Sequence, residues 1–472
     1  MGHRARHASW ARGQRPVTAA TTATATDLAA GFRAGALSPV DVARAALERM
    51  EQREPVVNAM WVRDPADQVL ARAAESARRW EQGRPHGPLD GVPVTLKENV
   101  ARAGVPMPAG SAAVDPVVPT VDSPAAARVD AAGMVVLGST VMPDWGMLSS
   151  GVSSRHGITR SPLDARWTTG GSSSGAGASV AAGYAPLAVG TDIGGSIRLP
   201  GTWLGLSTLK PSAGRIPLHA PYLGRAAGPM AATAADCAAL MSVLSGPDPV
   251  DWTSLPAQEL DWGSVGIGVD VAGLRVGVWT QAGYGVEPGP EVVAATRAVA
   301  DLLADAGAEV VEVRPWLTQD LLDGVNRFWQ ARSWADFARL SPQRQELVLP
   351  FIAEWVRAAS GLSGTEVVDA YHAFGQVQTR TVAAWEAAGL DLMVSPVAPC
   401  AAFPAEQPMP YPDGGRGMWH INFTMPWNMT GQPAGTVAAG AMPDGRPVGV
   451  QVVGRAFDDV GVLRAMGWLE GR

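Results

Sequence analysis

The segment Gly170-Gly171-Ser172-Ser173-Ser174-Gly175, followed by Gly190-Thr191-Asp192-Ile193-Gly194-Gly195-Ser196-Ile197-Arg198-Leu199-Pro200, gathers residues suited to nucleophilic chemistry. Ile193 to Ser196 reads as a turn with two consecutive glycines. Without side chains in the way, its backbone N–H groups can converge on one oxygen atom. Converging donors of this kind stabilise the charge that develops on a carbonyl oxygen under attack. A serine on the same turn, Ser196, would stand within reach of that carbonyl. A serine hydroxyl is a weak nucleophile and needs a base. His156 precedes the segment and His219 follows it, neither at a recognisable triad spacing. A lysine can serve if it is neutral, and burial favours the neutral form. Lys97 ends the apolar run Gly91–Leu96 and suits that demand, although its local sequence alone also fits a surface lysine.

These residues need a scaffold. Ser38-Pro39-Val40-Asp41 has the marks of a helix start: a serine N-cap, a proline at the first position and an acid in the first turn. A second helix is predicted over Pro65–Trp80 and another from Ser123-Pro124 to about Gly133. Gly91–Leu96 and Met134–Leu137 read as buried strands. The stretch from Gly170 to Gly205 is rich in Gly, Ser and Ala, a composition common in flexible linkers. Val180, Leu187, Val189, Ile193, Ile197 and Leu199 recur through it, which a linker would not need. It is therefore read as a helix near Ala176–Ala182, a strand near Pro186–Val189 and a tight loop. Asp248 to Gly268 reads as a surface excursion. Leu274–Trp279, Pro290–Ala306 and Ala308–Val313 then give strand, helix and strand, a rhythm that implies a largely parallel sheet with helices on both faces. Thr318 to Trp385 is predicted mostly helical, and Asp391–Val394 and Val448–Val453 are two further strands.

The 472 residues are 47% hydrophobic and 17% charged, a globular balance, and the formal net charge is −7. An acidic chain without a long Lys/Arg run argues against nucleic acid and against an anionic membrane surface as partners. No apolar run approaches the roughly 18 residues of a membrane span. Cys237 and Cys400 do not make a disulfide framework. Cys237, in an apolar stretch, is expected to be buried and inert, and a reducing cytoplasm fits best. Residues 1–25, with Arg4, Arg6, Arg12 and Arg15 before a Thr/Ala run, lack the apolar core of a signal peptide and read as a disordered extension or an initiation site placed too early. Residues 26–472 read as one domain. The seven histidines show no H-E-x-x-H and no paired spacing, so a metal is not expected, and the chemistry calls for no cofactor.

The span Gly170–Gly201 resembles the signature of the amidase-signature family over more than thirty residues. Gly91 to Val100 is similar to the family's lysine segment. Ala109-Gly110-Ser111 and Val136-Leu137-Gly138-Ser139-Thr140 follow in the family's manner, as do Pro426-Trp427-Asn428-Met429-Thr430-Gly431-Gln432-Pro433-Ala434 and Pro447–Gln451 near the C-terminus. The resemblance implies a large twisted mixed β-sheet covered by helices on both faces. It implies Lys97 as base, Ser172 behind a cis peptide bond as relay, and Ser196 as nucleophile. The N–H groups of Ile193, Gly194, Gly195 and Ser196 would form the oxyanion hole. Gly171 and Ser173 would support the site, and Thr191, Asp192 and Arg198 would brace its loop. The reaction implied is hydrolysis of an amide C–N bond, or in some members of a carbamate (urethane), and homodimers are common in the family.

Three other readings compete. Gly171-Ser172-Ser173-Ser174-Gly175 satisfies G-x-S-x-G, which would make Ser173 the nucleophile of an α/β-hydrolase, but the polar Asp164–Thr169 is a poor match for the strand that must precede it. The same core would serve a glutaminase subunit of a transfer-RNA amidotransferase, or a non-catalytic binding protein. For the substrate, Trp316, Phe328, Trp329, Trp334, Phe337, Phe351 and Trp355 lie in the variable region of about 315–385 and read either as pocket wall or as helix packing. Met142, Trp145, Met147, Met425, Trp427 and Asn428 are expected at the rim. An uncharged aryl or alkyl amide is the expected substrate, with an aryl carbamate second.

Overall fold

In the computed structural model, which describes residues 23–266, 270–411 and 417–472, the apolar runs pair into one large sheet. Its strands are β1 (Met60–Arg63), β2 (Pro93–Lys97), β3 (Val135–Thr140), β6 (Leu187–Asp192), β7 (Ser207–Lys210), β8 (Ala226–Ala231), β9 (Arg275–Val278), β10 (Glu309–Glu312), β11 (Leu392–Pro396), β12 (Ala434–Ala441) and β13 (Pro447–Gly454). A separate small hairpin joins β4 (Val152–Ser153) and β5 (Gly157–Ile158). The order across the sheet is β1-β3-β2-β6-β8-β7-β12-β13-β11-β9-β10.

The expectation of a largely parallel sheet holds only toward the flanks. There β3, β2 and β6 run parallel, as do β11, β9 and β10. The centre, from β6 through β8, β7, β12 and β13 to β11, is antiparallel throughout. The strand–helix–strand rhythm is visible only where helices separate the strands. β7 is only four residues long, and β8 and β12 are built largely of Gly and Ala, so the three carry little apolar signal of their own.

Helices cover both faces. Alternation along β2 sends Val94 and Leu96 into one core, packed with residues of the helices Ala25–Arg33, Ala234–Leu244 and Pro290–Asp305. Thr95 and Lys97 face the other way. Thr95 Oγ1 lies 2.8 Å from Ser179 Oγ on the helix Ser174–Ala181, so this face of β2 looks onto the glycine- and serine-rich segment. A second core, dense in Trp, Phe and Met, is built around the helices Gln319–Phe337, Pro350–Arg357 and Gly364–Ala388.

The helix starting at Pro39 is capped by Ser38, whose Oγ accepts the Val40 N–H at 3.2 Å. The chain's first described helix begins at Ala25, one residue ahead of the expected domain start, with Thr24 as cap. The Ala25 and Thr26 N–H groups donate to the Asp236 carboxylate at 3.1 and 3.0 Å. Residues 1–22 of the expected extension lie outside the described residues. Cys237 is buried, with its thiol pushed up by burial and its Sγ 3.2 Å from the Ser207 carbonyl. Among the described residues no helix is long and apolar enough to cross a membrane.

Candidate active site

The C-terminal end of β2 delivers Lys97 into the protein, where its side chain is fully buried. Its Nζ lies 2.8 Å from Ser172 Oγ, 3.1 Å from Ser173 Oγ and 3.0 Å from Thr191 Oγ1. Burial first, and then the nearby Arg225 charge, push the lysine pKa down to about 7, against the opposing pull of Asp192 and Glu98. An amine at this value is substantially neutral near pH 7.

A neutral amine has two N–H groups and one lone pair, so only two of the three hydroxyls can accept from it. The third must donate. The Ser173 hydroxyl donates to the Thr191 carbonyl at 3.1 Å, and its oxygen accepts the Thr191 N–H at 3.2 Å. The Thr191 hydroxyl oxygen accepts from Asn99 Nδ2 at 3.1 Å, and its proton faces Asn99 Oδ1 at 3.4 Å. The Ser172 proton has no such competing acceptor among the described residues. It is the one placed to meet the Lys97 lone pair.

Backbone geometry holds Ser172 in place. The Gly171–Ser172 peptide is cis. Gly171 is wedged where a Cβ would come within 2.4 Å of the Ser150 carbonyl oxygen. Gly146 lies on the other side, and a Cβ there would sit 3.3 Å from Ser172 Oγ. The Ser173 N–H donates to the Ser196 carbonyl at 3.1 Å, which ties the relay segment to the following turn.

That turn leaves β6 at Asp192 and enters the short helix Arg198–Leu204. Asp192 organises it. Its Oδ1 accepts the Gly195 N–H at 2.8 Å and its Oδ2 the Ile197 N–H at 3.0 Å. The Gly195 N–H is thereby committed, which corrects its expected place among the oxyanion donors. Among the described residues the N–H groups of Ile193, Gly194 and Ser196 have no partner and remain free to converge on a ligand. Gly195 is required for its own reasons: φ is +128°, and a Cβ would meet Thr424 Oγ1 at 2.7 Å.

Arg198 pairs with Asp192 at 2.8 Å, both side chains fully buried, and the carboxylate is held well below its usual range by that guanidinium despite burial. Arg198 also donates to the Thr424 carbonyl at 2.9 Å, Gln451 Oε1 at 2.7 Å and Asn428 Oδ1 at 2.6 Å. Asn428 in turn donates to Asp192 Oδ1 at 2.9 Å. The bracing expected of Asp192 and Arg198 is what these contacts provide, whereas Thr191 touches the lysine directly.

Ser172, Ser196, Ile193 and Gly194 open onto a cavity of about 460 Å³. Met142, Trp145 and Met147 line it as expected. Met425, Trp427 and Asn428 do not, and this corrects their assignment to the rim. Met425 and Trp427 are fully buried, Trp427 packing against Trp279 and Trp385 at ring separations of 6.0 Å each, and Asn428 belongs to the Asp192–Arg198 network. Of the seven aromatic residues singled out in the helical region, Trp329 alone lines the cavity, and the others are packing. Sequence reasoning missed Tyr222, Arg225, Arg332 and Asp336, which also line it. A cation in the unmotivated loop before β8 and another on an otherwise ordinary helix carried no local signal. Ser173 is fully buried with its hydroxyl held by Thr191 and does not line the cavity, which leaves no room for the nucleophile-elbow reading.

The sequence matches the family model described as Amidase over residues 41–463. It is 34% identical to a glutamyl-tRNA(Gln) amidotransferase subunit from Chloroflexus aurantiacus, covering 93% of this chain and 94% of that one. It is 33% identical to an acylamidase from Rhodococcus erythropolis, covering 93% of both chains. A bacterial aryl acylamidase of the amidase-signature enzymes superposes with a TM-score of 0.85 at 26% identity, over 95% of this chain and 96% of that one. With its matching sheet, its buried lysine and its glycine–serine turns, the chain belongs to the amidase-signature family and is an amide-hydrolysing enzyme.

Proposed function

We propose that the chain hydrolyses aryl and alkyl amides through an acyl-enzyme on Ser196, with Ser172 as proton relay and Lys97 as base. The observation that carries this reading is the buried Lys97 amine among three hydroxyls, of which Ser172 alone has a proton to give it. Neutral Lys97 takes the Ser172 proton while Ser172 takes that of Ser196, and the Ser196 oxygen adds to the amide carbon. The N–H groups of Ile193, Gly194 and Ser196 stabilise the oxyanion. The relay then runs backwards. The lysine proton reaches the departing nitrogen through Ser172, the C–N bond breaks, and a neutral amine leaves. Water attacks the ester by the same route and releases the acid.

The apolar part of the wall, with Trp329, Leu199, Met418 and Ile421, supports an aryl or alkyl group beside the scissile bond. An aryl carbamate presents the same carbonyl and the same leaving amine. The test is release of nitroaniline from a para-nitroanilide amide and a para-nitroanilide carbamate, beside Ser196→Ala. Release by the wild type alone supports the reading and ranks the two bonds. The likeness to an amidotransferase component favours a second reading, a glutaminase working within a complex. Turnover of glutamine, with neither anilide cleaved, would replace the first reading with this one.

A further inference from the structure

Arg225 and Arg332 both line the cavity, and apart from the Arg225 charge that helps keep Lys97 neutral the proposed acyl transfer uses neither. Arg225 ends the turn ahead of β8, its N–H donating to the Tyr222 carbonyl at 2.9 Å. Arg332 projects from the helix Gln319–Phe337. Of the two carboxylates that also line the cavity, Asp192 is clamped by Arg198 at 2.8 Å, and Asp336 is solvent-exposed, 3.6 Å from Arg339. Among the described residues neither Arg225 nor Arg332 has an ion-pair partner.

Their remaining contacts are weak. Arg332 Nη2 lies 3.5 Å from Met147 Sδ and 3.5 Å from Ser333 Oγ, and its guanidinium stands 5.3 Å from the Tyr222 ring centre. Its Nε is buried with no hydrogen-bond partner. Arg225 is held below its ordinary pKa by burial and by the charge of Arg332, so the two guanidinium groups sense each other. Two like charges in one partly desolvated cavity repel, and each has lost some of its water. A carboxylate between them would relieve both costs, and the planar guanidinium fork suits it.

We propose that Arg225 and Arg332 form an anion subsite that selects amides carrying a carboxylate remote from the scissile bond. This rests on the amidase reading of the site and adds a charge to the apolar body that Trp329, Leu199 and Ile421 accommodate. The substrate is then an amphiphilic amide whose acyl or amine part ends in a carboxylate.

The experiment uses matched pairs. The mono-para-nitroanilide of glutaric acid is set against the para-nitroanilide of pentanoic acid, and para-acetamidobenzoate against para-methylacetanilide. Binding to the Ser196→Ala protein is measured by calorimetry, so that the result does not depend on turnover. In at least one pair the carboxylated member is expected to bind roughly tenfold tighter or better, the scale of a charge-assisted bidentate contact. The advantage is expected to fall at least fivefold in Arg332→Gln and in Arg225→Gln on the same background, and to survive in part in Arg332→Lys. Equal or weaker binding of both carboxylated members overturns the subsite, as does an advantage that persists in both Gln variants. Wild-type turnover of the four compounds is read separately: if none is cleaved while the carboxylated members still bind tighter, it is the amidase reading that fails.

Discussion

Asp192 Oδ1 accepts the Gly195 N–H at 2.8 Å, and the same carboxylate is clamped by Arg198. A buried ion pair therefore sets the curvature of the turn that carries Ser196, and it takes one N–H out of the expected oxyanion hole. Asp192→Ala would leave Arg198 charged and uncompensated in the core. A loss of about 3–5 kcal/mol is expected. Thermal unfolding should show a clear drop in Tm, and kcat should fall with it as the turn relaxes.

Ser196→Ala and Lys97→Met should each lower kcat/KM by roughly a thousandfold or more, and the double variant should be little worse than either, because the groups act as one relay. Steady-state kinetics on a para-nitroanilide would read this. Additive losses would argue that the two residues work independently.

The active lysine must be neutral. With its pKa pushed down to about 7, log kcat/KM should fall by about one per pH unit below that value and level off above it. Arg225 contributes to the lowering. In Arg225→Gln a neighbouring positive charge is gone, Lys97 holds its proton more readily, and the acidic limb should move to higher pH. A pH–rate profile of the two proteins checks the direction.

Gly146 faces Ser172 with φ +69°. Gly146→Ala adds a methyl group 3.3 Å from the relay hydroxyl and places a side chain in a left-handed conformation, at a cost of roughly 1–2 kcal/mol. A fall in kcat is expected, since the methyl group crowds the relay hydroxyl, and steady-state kinetics on a para-nitroanilide reads it.

Asn428→Ala should behave as a core variant. It removes two donors and one acceptor from a buried network, for a loss of about 2–3 kcal/mol. Relative kcat/KM values across aryl and alkyl amides should keep their order. A reversal of that order would return Asn428 to the substrate-binding residues.

Sequence alone determined the parts of this protein whose signals are local. The Ser38 cap, the β2 run ending at Lys97 and the glycine–serine spacing around Ser172 and Ser196 each follow from residue types a few positions apart. The resemblance carried by those motifs identified the family. Tertiary structure decided the rest. Whether Lys97 is a surface cation or a neutral base depends on desolvation, which comes from the distant segments that cover it. Asn428 and Trp427 sit in a motif that reads as a rim, but packing turns them inward, toward Arg198 and toward Trp279 and Trp385. Arg225 and Arg332 lie far apart in sequence and show no pattern, and only the closing of the chain brings two unpaired guanidinium groups to one cavity. The antiparallel centre of the sheet was hidden for a related reason: strand direction is set by long-range pairing, and the four-residue β7 and the Gly- and Ala-rich β8 and β12 carry too little apolar pattern to announce it.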